Sequence, residues 1–178
     1  CGSSESSVLM GLNKYETLLS LYLRKIKSPL YVPKEINEAM MHGTNSEAGI
    51  RDIINLESGT NFQPVCLIHK DKDCIRSSMD GLDGNIGLEI KAPYNDYSFF
   101  NHRKKISPFY YSQVQHHILT GNLREEYFVS SFENKKVGYR ILPNPSFIAE
   151  LELRICKFWE CVLDKREPDY FEYGVYEY

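Results

Sequence analysis

Residues 77–91 constrain this chain more tightly than any other stretch. The run Ser77-Ser78-Met79-Asp80-Gly81-Leu82-Asp83-Gly84-Asn85-Ile86-Gly87-Leu88-Glu89-Ile90-Lys91 places an acid before a glycine-rich turn, then an apolar segment interrupted by Glu-x-Lys. Strand side chains alternate between faces, so Glu89 and Lys91 share one face while Leu88 and Ile90 point the other way, into a core. A hairpin over this run draws two carboxylates and one ammonium toward one end.

Patterning elsewhere supplies the frame. Ser3 to Leu12 reads as a short serine-capped helix ending near Gly11. Tyr15 to Lys27 is amphipathic, with Leu18, Leu19, Tyr22, Leu23 and Ile26 at helical spacing, and Pro29 and Pro33 break it. Lys34 to Glu57 predicts a long helix with an interruption near Gly43. Phe62 to His69, Ile75 to Met79 and Gly87 to Lys91 predict three strands. Tyr94 to Phe100 is a short helix or loop, and Pro108 to Leu119 is a helix with Gly121 as its stop signal. Glu126 to Phe132 and Lys136 to Leu142 form a hairpin turning at Asn134-Lys135, and Pro145 to Leu163 is a long closing helix. The order of helices, strands, helix, hairpin and helix predicts one α/β domain over residues 1–178 around a mixed central sheet flanked by helices.

Composition narrows the class. The 178 residues, 42% hydrophobic and 25% charged, suit a globular chain with a real core. No apolar run approaches the roughly 20 residues that span a membrane. Five cysteines form no regular framework, which favours free thiols in a reducing, intracellular compartment. The spacing of Cys66, His69 and Cys74 matches no established zinc motif, and Cys156 and Cys161 read as packing residues of the closing helix. A net charge of −3 does not advertise nucleic-acid binding, yet it leaves room for local basic patches beside an acidic centre.

Hard carboxylate oxygens beside an ammonium are the equipment for holding Mg²⁺ and activating a water against a phosphodiester. The bland reading of Asp80, Glu89 and Lys91 is a solvated salt-bridging face. Other segments weigh against it. Gly2-Ser3-Ser4-Glu5 with Leu9-Met10-Gly11-Leu12-Asn13 opens the chain, and Gly43-Thr44-Asn45-Ser46-Glu47-Ala48-Gly49-Ile50-Arg51 follows. Ser78-Met79-Asp80-Gly81 with Glu89-Ile90-Lys91-Ala92-Pro93 comes third, then Tyr111-Ser112-Gln113-Val114-Gln115. In this order they resemble the lambda exonuclease / YqaJ-like viral recombinase nucleases, within the wider PD-(D/E)xK, restriction-endonuclease-like fold. Two departures stand out. Met79 occupies a position where the family usually has Pro. The family's strand and Arg upstream of the Gly-x-Ser helix, the Arg helping to hold the DNA 5′ phosphate, have no counterpart here, so the expectation is either a missing short N-terminal segment or a different end-binding pocket.

The resemblance implies a two-metal site for Mg²⁺, with Mn²⁺ as substitute, and ligands Asp80, Glu89, the Ile90 carbonyl and Glu47. Lys91 would orient or activate the attacking water, and Gln113 would position that water or Lys91. Ser4 and Ser78 match positions that hold a terminal 5′ phosphate, and Met40 matches an apolar wedge. Arg103, Lys104 and Lys105 form a basic loop suited to the DNA backbone. Glu47 and Arg51, four apart, can also be a plain helix ion pair, and Ser4 a plain N-cap. Asp83 reads as a turn residue. His116 and His117 have no clear partner and read as surface or packing residues.

The function so implied is 5′→3′ degradation of one strand of linear duplex DNA from its ends, leaving 3′ single-stranded tails for recombination. A homotrimeric ring, a single-strand annealing protein as partner, and residence in a bacterial cytoplasm or in the nucleus or cytoplasm of a virus-infected cell belong to the same implication. A related endonuclease or DNase of other polarity, and a non-catalytic DNA-binding module on the same fold, remain open alternatives.

Overall fold

The computed structural model describes residues 1–33 and 38–174, apart from the side chains of residues 39, 40, 171 and 172. The chain opens with a 3-10 turn at Ser3–Glu5, followed by α1 (Ser6–Leu9) and α2 (Leu18–Lys25). Then come α3 (Glu38–Ser58), β1 (Gln63–His69), β2 (Lys72–Asp83), β3 (Ile86–Lys91), α4 (Asp96–Lys104) and α5 (Pro108–Gly121). The hairpin β4 (Glu125–Phe132) and β5 (Lys135–Ile141), helix α6 (Pro145–Leu163) and a 3-10 turn at Tyr170–Tyr173 complete it.

The helices begin where local chemistry dictates. Side chains of Thr17, Asn95, Ser107 and Asn144 accept hydrogen bonds from the first-turn amides of α2, α4, α5 and α6. Pro108 and Pro145 open α5 and α6, where a missing amide costs nothing.

The five strands form one mixed sheet in the order β1-β2-β3-β4-β5. The β3/β4 pair is parallel and the other pairs are antiparallel. A parallel pair needs a long crossover, here supplied by α4 and α5. Strand β3 sits in the middle of the sheet. Its Leu88 and Ile90, fully buried with Phe62, pack against Ile50 and Ile54 of α3 on one sheet face. On the other face Met79, Phe128 and Ile141 pack against Val114 and Ile118 of α5. A further layer closes over α5: Leu9, Met10, Leu21, Phe147, Leu151, Ile155 and Phe158 bring together the N-terminal helices and α6. Helix α5 is therefore buried over nearly its whole length, polar residues included.

Several sequence expectations need correction. Helix α3 runs through Gly43 without a break, and residues 34–37 of its predicted span lie outside the described residues. The left-handed residue that ends α5 is Asn122 (φ 49°), not Gly121; an added Cβ at Gly121 would lie 2.7 Å from Leu123 Cδ2 and 3.0 Å from Leu67 Cδ1, so close packing requires that glycine. The β4–β5 turn is Glu133-Asn134, with Glu133 at φ 53°, and Lys135 already pairs with Phe132. The second strand is longer than expected and reaches Asp83. The basic triplet is not a loop: Arg103 and Lys104 lie in the last turn of α4, and Lys105 is its C-cap. Among the cysteines, Cys161 is in the core and Cys156 is half-buried.

Candidate active site

Asp80 owes its position to a β-bulge. Against β1, Gln63 faces Leu82 but Val65 faces Met79, so two steps on β1 span three on β2. The extra residue lies at Asp80-Gly81. Met79 and Leu82, three apart, consequently both pack on the α5 side of the sheet. Beyond Gly81–Leu88 the β2–β3 ladder stops. There the Ile90 amide donates to Asp80 Oδ2 at 2.7 Å, a side chain taking a strand's place. Arg51 of α3 donates to the Asp80 carbonyl at 2.9 Å, so it braces this backbone, and its charge also pulls down the pKa of Glu47 one turn earlier.

Glu89 and Lys91 leave the same face of β3, and their side chains are hydrogen-bonded as an ion pair. Glu89 is 1% exposed in the sheet interior. Burial opposes the Lys91 charge, but Glu89 outweighs it and holds the ammonium above its ordinary pKa. The Lys91 Nζ lies 5.4 Å from the Tyr110 ring centroid of α5. Asp80 is pushed up to about 7, first by burial and then by the charge of Glu89. Half-buried Glu47 faces the same centre from α3; burial raises its pKa, Lys91 lowers it and Glu89 raises it. Carboxylates thus crowd around one ammonium, and their hard oxygen donors fit a divalent cation.

The α5 face toward this centre carries Tyr110, Gln113 and His117 at helical spacing. Gln113 is half-buried, and among the described residues its side chain makes no hydrogen bond. Gln115, two residues on, has a different job: Nε2 donates to the Leu142 carbonyl and Oε1 accepts from the Asn144 amide, each at 2.9 Å, tying α5 to the start of α6.

Sequence reasoning found no partner for His116 or His117, and the structure supplies both. His116 Nδ1 is 2.7 Å from Ser6 Oγ, and burial drives its pKa well below the ordinary value. His117 Nδ1 is 2.7 Å from Glu126 Oε1 and 3.9 Å from Glu89 Oε2. Burial disfavours the His117 charge but Glu126 prevails and raises its pKa; burial pushes Glu126 up to about 7 against the pull of His117. Among the described residues, Glu89, His117 and Glu126 offer buried donor atoms within 4.8 Å of one another, a set able to hold a metal ion. The signals that reveal this pair are modest: Gln113 and His117 lie one turn apart, and Glu126 faces Gly87 across the parallel pair, two residues before Phe128 faces Glu89, so Glu126 and Glu89 fall on the same sheet face.

The outlying candidates fall at different places. Ser4 and Ser78 are both exposed. A parallel bridge between Gly2 and Arg76 carries the N-terminal segment along β2 in the direction of Ser78. Arg103, Lys104 and Lys105 are exposed at the end of α4. The Met40 side chain lies outside the described residues. Asp83 closes β2, where its Oδ2 accepts from the Asn61 amide at 2.9 Å.

Known proteins share this architecture. An alkaline exonuclease from Laribacter hongkongensis is 25% identical, with 93% of this chain and 88% of that one covered at a TM-score of 0.81. The same enzyme in complex with dAMP aligns at 23% identity, 92% and 88% coverage and a TM-score of 0.78. A phage-related exonuclease from Haemophilus somnus shares the fold at 10% identity, 92% and 94% coverage and a TM-score of 0.70. Among curated proteins none matches the sequence. The family model for the YqaJ-like viral recombinase domain matches residues 1–124, and the chain belongs to that family.

Proposed function

We propose that this chain is a metal-dependent deoxyribonuclease that degrades linear duplex DNA from its ends, 5′→3′, and leaves 3′ single-stranded tails for recombination. The observation that carries the reading is the meeting of Asp80, Glu89 and Lys91 at the bulged end of β2, with Glu47 facing them from α3. The exonuclease character of the structural relatives supports it, as does the alkaline exonuclease's complex with dAMP.

In this reading Asp80, Glu89, the Ile90 carbonyl and Glu47 hold Mg²⁺, two ions in the full site, with Mn²⁺ as substitute. A bound metal would supply positive charge to the phosphate and would make a nearby water easier to deprotonate. The protein contributes position and charge. Lys91, protonated and held by Glu89, sets a cation against the scissile phosphate. Gln113 offers an uncommitted amide to orient the water. Ser4 and Ser78 receive the terminal 5′ phosphate, and Arg103, Lys104 and Lys105 neutralise the strand backbone. Residues 1–178 would act as one nuclease domain inside the cell, as a trimer working with a single-strand annealing protein.

The test is digestion of linear duplex DNA labelled separately at 5′ and 3′ ends, with Mg²⁺ and with EDTA, beside a closed circular control. Mg²⁺-dependent loss from 5′ ends with circles spared is expected. Nicked circles would replace it with an endonuclease, and no cleavage with a binding module.

A further inference from the structure

Helix α4 displays an aromatic stripe to solvent that its own fold does not use. Tyr97 is 76% exposed and Phe100 50% exposed, although large rings usually seek cover. With Lys104 they repeat at i, i+3 and i+7, which places all three on one face. The opposite face is the one that anchors the helix. Phe99 is buried against Phe132 of β4, with centroids 6.1 Å apart. His102 Nδ1 meets Ser130 Oγ at 2.7 Å, and the His102 carbonyl accepts from the Tyr139 hydroxyl at 2.6 Å. The helix is thus held rigidly with its ring-bearing side outward.

Charge accompanies the rings. Lys104 Nζ stands 4.5 Å from the Phe100 centroid, and Arg103 and Lys105 flank it, all exposed. The acid nearest the helix start, Asp96, is taken by Lys135 at 2.8 Å. The helix also borders the candidate active site: its His102 packs edge-on against Tyr110 at 5.3 Å, and the Tyr110 ring centroid lies 5.4 Å from Lys91 Nζ. Only Ala92 and Pro93 separate Lys91 from Tyr94, which is 53% exposed and packs edge-on against His42 of α3 at 5.7 Å. The Tyr94 hydroxyl donates to Glu38 Oε2 at 3.4 Å.

We infer that Tyr97 and Phe100 form a base-stacking platform for single-stranded DNA beside the active site, with Arg103, Lys104 and Lys105 meeting its phosphates. Flat exposed rings on a fixed helix accept any nucleobase face, and the neighbouring cations match the one polymer that alternates planar apolar groups with anions. The inference rests on the nuclease reading only for the identity of the strand, which would be one frayed or released at the cleavage centre.

The test uses the full chain in EDTA, so that binding is read without cleavage. Fluorescence anisotropy compares a labelled oligothymidylate with an abasic strand of equal length and charge. Stacking is worth about 1–3 kcal/mol per base, so Tyr97→Ala and Phe100→Ala should each weaken oligothymidylate binding by about 5- to 150-fold. Both should leave abasic-strand affinity unchanged, and Tyr97→Phe should restore binding. Equal affinity of the native chain for both strands would overturn the platform. So would alanine variants that bind normally but sediment as smaller species, since the stripe would then be a contact between copies. Mg²⁺-dependent DNA digestion, run in parallel, separates the two claims: base-dependent binding without cleavage would retire the nuclease reading and leave the platform standing.

Discussion

The Ile90 amide donates to Asp80 Oδ2 at 2.7 Å, where β2 and β3 have ceased to pair. One carboxylate oxygen therefore completes the strand, and the other is left for the site. Asp80→Asn keeps an oxygen acceptor for that amide and removes the charge. The variant should fold with a denaturation midpoint at or above the native one, because burial and Glu89 disfavour the charge it removes, while Mg²⁺-dependent cleavage falls about a thousandfold, the scale of losing several kcal/mol of charge stabilisation. Near-native turnover would remove Asp80 from the metal site.

Gly81 shares the bulge with Asp80. A Cβ there would lie 2.8 Å from Phe62 Cβ and 3.1 Å from Leu88 Cβ, neither of which can swing aside. Gly81→Ala should destabilise the protein by about 1–3 kcal/mol, the usual cost of overpacking. It should also lower cleavage, because any accommodation moves the neighbouring Asp80. Gly138→Ala is the control: its nearest neighbours are 3.9 Å away, so urea denaturation should show a loss at Gly81 well beyond that at Gly138.

The shared face of Glu89 and Lys91 was legible because strand alternation is local, and the bounds of α6 because Asn144-Pro145 announces its start. Other features depend on partners far away in sequence. The bulge at Asp80-Gly81 exists only in register with β1, and Arg51 finds the Asp80 carbonyl only across the α3–sheet interface. The His117–Glu126 pair requires knowing that β4 lies parallel to β3 beneath α5. Propensity also misled at the turns. Asn122 is a familiar left-handed residue hidden behind a glycine, whereas Glu133 adopts φ 53° in a two-residue hairpin that its side chain does not favour. The burial of α5 on several sides gives His116 and His117, read from the sequence as surface or packing residues, their partners Ser6 and Glu126.

The two glutamines of α5 should separate in their effects. Gln115 is fully buried and satisfies the Leu142 carbonyl and the Asn144 amide. Gln115→Ala leaves both without that partner, and a loss of about 2–4 kcal/mol in urea denaturation is expected. Gln113 makes no such bond among the described residues. Gln113→Ala should keep the native midpoint and cut turnover by about a hundredfold, the penalty of a poorly placed reactant. A stability loss at Gln113 equal to that at Gln115 would make it a packing residue.

Glu5 supplies the acid-sensitive contact of the N-terminal segment. It lies 2.8 Å from both Arg24 and Lys25 and accepts from the Gly2 amide at 2.9 Å. Burial alone would raise its pKa, but the Lys25 hydrogen bond and charge, with Gly2 and Arg24, hold it below the ordinary 4.5. A depressed native value means that the unfolded chain takes up the proton first. The contribution is complete above 4.5 and fades as pH falls through the lower native value. Replacing the charge with Glu5→Gln should therefore cost about 2 kcal/mol at pH 7, typical of hydrogen bonds to a buried ion. The gap between the two proteins should close in strong acid. Urea midpoints measured for both from pH 7 to pH 3 give the check: a gap that stays constant across that range would mean that Glu5 acts by shape and not by charge.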